Sequence, residues 1–106
     1  MPKYLFQASY TAEGTKGLQK DGGSKRRAAA QGLVESLGGK LESMYFAFGE
    51  SDVFAIADLP DNAAAASLSL TLGASGAVMG KTTVLLTPED LDKAIKKQGK
   101  YTPPGR

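Results

Sequence analysis

The chain has 106 residues, with 13 Lys and Arg against 11 Asp and Glu, and neither cysteine nor histidine. That length fits one domain with one core. The missing residue types exclude disulfides, thiolate nucleophiles, zinc ribbons, Ser-His-Asp devices and histidine-ligated haem, and a net charge of +2 exerts little long-range pull on nucleic acid.

From Tyr4 to Thr11 the chain alternates, with Tyr4, Phe6, Ala8 and Tyr10 on one side and Leu5, Gln7 and Ser9 on the other, which predicts a first strand. Gly14, Gly17, Gly22 and Gly23 then punctuate a segment without apolar periodicity, read as a polar loop. Ser24 is the expected N-cap of a first helix over Lys25–Leu37, where Ala30, Leu33, Val34 and Leu37 fall at i, i+3, i+4 and i+7 and Gly38-Gly39 stops the pattern. A second strand is predicted over Lys40–Phe48, with Met44, Phe46 and Phe48 on one side and Leu41, Ser43 and Tyr45 on the other. Gly49-Glu50-Ser51 then turns a tight hairpin into a third strand over Asp52–Asp58. Pro60-Asp61-Asn62 opens a second helix whose inner face carries Ala65, Leu68 and Leu72, and Gly73 and Gly76 close it. A fourth strand over Ala77–Leu86 leads to Thr87-Pro88-Glu89-Asp90, the start of a short helix with proline at its first position and acids in its first turn. The basic tail Lys96–Arg106, with Pro103-Pro104-Gly105, is expected to be loosely held.

The order βαββαβ followed by a helix is that of the ferredoxin-like split βαβ sandwich, an α+β fold with both helices on one face of a four-stranded antiparallel sheet. One domain over 1–106 is expected, with its core in 4–86 and a C-terminal helix and tail in 87–106. The strands are apolar or aromatic on both sides, so a second copy packed on the free sheet face is expected. The result would be a homodimer or higher homo-oligomer resembling a dimeric α/β barrel, with Tyr4, Phe6, Tyr45 and Phe54 divided between core and interface. No apolar run approaches the ~20 residues of a membrane span, and Met1-Pro2-Lys3-Tyr4 leads into a strand rather than an export signal. A cytoplasmic protein without membrane contact is the expectation.

Tyr10-Thr11 with Gly14 and Gly17-Leu18, Arg27, Gly38-Gly39-Lys40-Leu41, Phe48-Gly49-Glu50-Ser51-Asp52-Val53, and Pro60-Asp61 before an alanine-rich helix follow one another along the chain. In that order they resemble the GYD domain, a widespread bacterial family of ferredoxin-like or dimeric α/β-barrel type whose role is poorly defined. The resemblance covers Tyr4–Leu86. It departs at Ser51, where the family motif has a tyrosine before the aspartate, so the turn glycine and the acid remain while the ring is lost.

Gly17 to Ser24 has the outer spacing of a phosphate-binding loop, but Gly23 stands where that loop needs its lysine. A looser anion site is suggested by Ser24, Lys25, Arg26 and Arg27 at a helix N-terminus, where cations call for a compensating acid or anion. Asp52 has two readings: an acceptor for the hairpin turn or a partner for Arg27, or a catalytic carboxylate grouped with Tyr45, Tyr10 and Arg27 around a cleft between sheet and first helix. The lysines Lys93, Lys96, Lys97 and Lys100 read as a solvated face, and Val53–Ala57 lacks the basic-glycine-aromatic run of RNA-recognition strands, so nucleic acid is not an expected partner. No spacing demands a metal, and no cofactor is implied. The sequence therefore favours a homo-oligomeric module that binds a small, including anionic, ligand at Tyr10, Ser24, Arg27 and Asp52, or serves a structural role. The alternative is a cofactor-independent monooxygenase or isomerase with Asp52 and Tyr45 as its catalytic candidates, an expectation that rests on fold analogy.

Overall fold

The structure is a computed structural model describing residues 1–106. Its elements are β1 (Lys3–Tyr10), α1 (Ala12–Asp21), α2 (Gly23–Ser36), β2 (Lys40–Phe46), β3 (Val53–Asp58), α3 (Asn62–Ala74), β4 (Val78–Leu85) and α4 (Pro88–Lys96). The four strands pair antiparallel in one sheet ordered β2-β3-β1-β4. With α2 packed on β2 and α3 on β4, this is an α+β fold of the ferredoxin-like kind.

Register decides which side chains meet the helices. Tyr4 stands opposite Ala57 and Val84, Phe6 opposite Ala55 and Thr82, and Ala8 opposite Val53 and Gly80. Because directly paired residues share a face, all of these lie on the helix-covered side. The core there joins Tyr4, Ala57 and Leu59 to Val34 of α2 and to Ala65 and Leu68 of α3. Each buried Val or Leu side chain contributes about 1.5–3 kcal/mol. Tyr4 is 1% exposed, and its hydroxyl meets the need for a partner by donating to Asn62 Oδ1 at 2.7 Å. The opposite face carries Leu5, Ile56, Phe54, Tyr45 and Met79 and has no helix over it. Phe54 is 36%, Tyr45 71% and Met79 73% exposed. Tyr4 and Phe6 thus lie under the helices, and Tyr45 and Phe54 lie on the open face.

Four sequence expectations are corrected. The segment read as a polar loop is the helix α1, so the order is βααββαβα. Its glycines carry a propensity cost of about 1 kcal/mol each. The cost at Gly14 is offset by packing: Thr11 caps the helix by accepting from the Gly14 N–H at 3.1 Å, and Gly14 is buried against the Ala77 carbonyl. Ser24 is not the cap of α2. Gly22 is, at φ +83° where glycine is favoured, and α2 begins at Gly23. The hairpin is not tight, since β2 ends at Phe46 and residues 47–52 connect the strands. That connection is drawn toward β1, with the Asp52 N–H donating to Ala8 O at 2.8 Å and Asp52 O accepting from Ala47 N at 2.8 Å. Finally, a bulge between Leu41 and Ser43 makes Leu41 pair with Ala57 and turn to the helix side, together with Met44 and Phe46.

Beyond β4, Thr87 and Asp90 form a reciprocal capping box around Pro88, and α4 extends with all of its residues exposed, including Leu91 and Ile95.

Candidate functional site

Small residues on two elements leave a gap beside the core. Phe6, Ala8 and Tyr10 of β1 point toward α2, which presents Ala29 and Ala30 where a larger side chain would touch the sheet. Between α2 and the end of α3 lies a cleft of about 140 Å³, with 12 of its 14 lining residues hydrophobic. Leu33, Met44, Val53 and Leu72 form its deeper wall, next to the core residues Val34 and Leu68. Tyr10, Arg26 and Ser75 form its rim, at the end of β1, in the first turns of α2 and after α3.

The geometry separates the residues picked out by sequence into two groups. In the first, Asp52 Oδ2 accepts the Tyr10 backbone N–H at 2.9 Å and ties the end of β1 to the start of β3. Asp52 lines no wall of the cleft and has no ion pair with Arg27. In the second, Ser24, Arg27 and Tyr45 line a shallow depression along the β2 edge, where Gly23 approaches the Phe46 ring. Of the named candidates only Tyr10 belongs to the cleft. The grouping of Asp52, Tyr45, Tyr10 and Arg27 around one cavity does not occur.

The acid needed beside the basic start of α2 is Asp21, the last residue of α1. Its two oxygens face Lys25 Nζ and Arg26 Nη1, each at 3.7 Å. Sequence reasoning missed this pairing because α1 was not foreseen. It named Arg26 within the basic run but chose Arg27 as the ligand residue, although the signal was present: Arg26 lies four residues before Ala30 and so extends the Ala30, Leu33, Leu37 stripe by one turn.

Two groups with displaced pKa lie elsewhere. Hydrogen bonds to Asp58 and then to Glu42 hold the Lys3 ammonium above its ordinary 10.5. The backbone N–H and then the side chain of Thr87 hold the Asp90 carboxyl below 3.8. No group of three or more acidic side chains is arranged to hold a metal ion, and no helix is long and apolar enough to cross a membrane.

A family model described as the GYD domain matches residues 4–95. The chain belongs to the GYD family. The match continues past β4 into α4, so this GYD domain includes most of the capped C-terminal helix as well as the sandwich. It spans Gly14, Arg26, Ala30 and the rest of the cleft wall. Among curated proteins nothing matches this chain.

Proposed function

We propose that this GYD domain is a small-molecule binding module that acts as a homo-oligomer. The observation that supports binding is the apolar cleft between sheet and helices, a concave site beside a rigid core with its few polar groups gathered at the rim. Binding is favoured over catalysis because the ionisable side chains in the cleft wall are those of Tyr10 and Arg26, while Asp52 is engaged in joining strands. Assembly is supported by the uncovered sheet face, where Leu5, Ile56, Phe54, Tyr45 and Met79 form a two-sided sheet's missing half-core.

Saturation-transfer NMR with 2-phenylethanol, a neutral one-ring probe, tests the cleft. Transfer is expected from the wild type and is expected to vanish in Ala30→Phe, whose ring fills the space. Absence of transfer from the wild type would leave a structural module as the reading. Equal transfer from both proteins would place the binding elsewhere.

A further inference from the structure

We propose that the cleft selects a one-ring or similarly small branched organic acid, held with its apolar body inward and its carboxylate at Arg26 and Tyr10. The proposal rests on the small-molecule reading above and adds to it the size and charge of the ligand. Size follows from volume: a dry apolar cavity of about 150 Å³ accommodates benzene, and this cleft measures about 140 Å³. The deeper wall of Phe6, Leu33, Met44, Val53 and Leu72 offers no side-chain donor and no acceptor stronger than the Met44 thioether, so a polar group placed there would lose its hydration without replacement. The charged end of the ligand must therefore lie at the rim.

Charge follows from the bookkeeping around Asp21. At this turn one carboxylate, that of Asp21, is shared between the two cations Lys25 and Arg26. At 3.7 Å the Arg26–Asp21 approach is a coulombic contact beyond hydrogen-bond reach. The planar fork of Arg26 donors thus remains available to a carboxylate, which it matches in geometry. Arg26 is only half-buried and projects from the same helical stripe as Ala30 and Leu33, so its stem continues the apolar wall while its head marks the boundary with water. Tyr10 adds a hydroxyl on an aromatic wall at the same rim, and a neutral or cationic ligand of the same shape would leave these groups without a matching partner.

The test compares three one-ring probes, phenylacetate, 2-phenylethanol and phenethylamine, by NMR titration of the full chain. Phenylacetate is expected to bind about tenfold or more tighter than the alcohol, as a charge-assisted contact implies, and the amine more weakly than either. Arg26→Met keeps the apolar stem and is expected to bring phenylacetate down to the level of the alcohol. Arg26→Lys is expected to restore part of the preference. Circular dichroism of each variant confirms folding, and Tyr10→Phe gives a second route to the same rim. If the wild type binds the acid and the alcohol equally, the acid selectivity is overturned and the small-molecule reading stands. If the preference survives in Arg26→Met, the carboxylate lies elsewhere and the proposal fails. If none of the probes binds, both readings fail together.

Discussion

Replacing Gly14 by alanine tests the packing of α1, because local propensity and tertiary contact predict opposite signs. In a helix interior the change favours folding by about 1 kcal/mol. At Gly14, however, the new Cβ would stand 2.0 Å from the Ala77 carbonyl oxygen and 2.9 Å from its carbon. Retreating by about 1 Å to reach even a 3.0 Å contact would pull α1 from the start of β4. The carbonyl cannot simply rotate away, since it accepts the Thr11 N–H at 2.9 Å and the Thr11 hydroxyl reaches Gly76 O at 2.8 Å. Overpacking of this kind costs about 1–3 kcal/mol, and weakening the Thr11 hydrogen bond adds about 1 kcal/mol. Against the propensity gain the net loss is about 1–3 kcal/mol, a Tm lower by about 4–12 °C for a domain of this size. Gly17→Ala, in the same helix with nothing within 4 Å of the new Cβ, is the control and is expected to gain up to about 1 kcal/mol. Urea and thermal unfolding followed by circular dichroism give both numbers. Equal stability of the two variants would refute the docked position of α1.

Asp52→Ala is expected to lose about 1–2 kcal/mol in urea unfolding because the Tyr10 N–H gives up a charged acceptor, with Asp52→Asn losing less; a wild-type midpoint for the alanine variant would refute the strand-tying role. Asp90 gives a pH dependence with a definite sign: its folded pKa is depressed, so its stabilisation is present above the unfolded value of 3.8 and is lost as pH falls through the lower folded value. An NMR titration of the Asp90 carboxyl carbon is expected to show a midpoint below 3.8, and Thr87→Ala to move it upward. Light scattering of the wild type is expected to give a multiple of 11.0 kDa, and Phe54→Lys to reduce it toward a single chain; a wild type already at 11.0 kDa would remove the homo-oligomer reading.

Most of the sandwich was legible because burial imposes a period. Tyr4, Phe6 and Ala8 alternate in the sequence and share a covered face in the structure, and Ala30, Leu33 and Val34 mark the inner side of α2. Asp61 and Thr87 announced α3 and α4 because a cap is a local transaction between side chain and backbone. α1 was illegible for the complementary reason. Its stability depends on Gly14 meeting Ala77, two residues far apart in sequence, and a glycine that permits close approach is locally indistinguishable from one that breaks a helix. The bulge at Glu42 was hidden in the same way: alternation continues through it in the sequence, while the pairing with β3 skips a residue.

The missing helix also explains why the sequence grouped residues that the fold holds apart. With a loop before α2, Asp21 has no assigned place, and the run Ser24 to Arg27 calls for a compensating acid or anion. With α1 in place, Asp21 supplies that acid at the turn and the role of the run changes. Arg27 and Ser24 then face the β2 edge with Tyr45, whereas Arg26, one residue earlier than the sequence favoured, reaches the apolar cleft. A shift of one residue on a helix rotates a side chain by about 100°, which is enough to exchange a solvated arginine for one at the mouth of a cavity. Composition shows that basic residues cluster here. Only the helical phase, fixed by Ala30 and Leu33 against the sheet, determines which of them can meet a ligand.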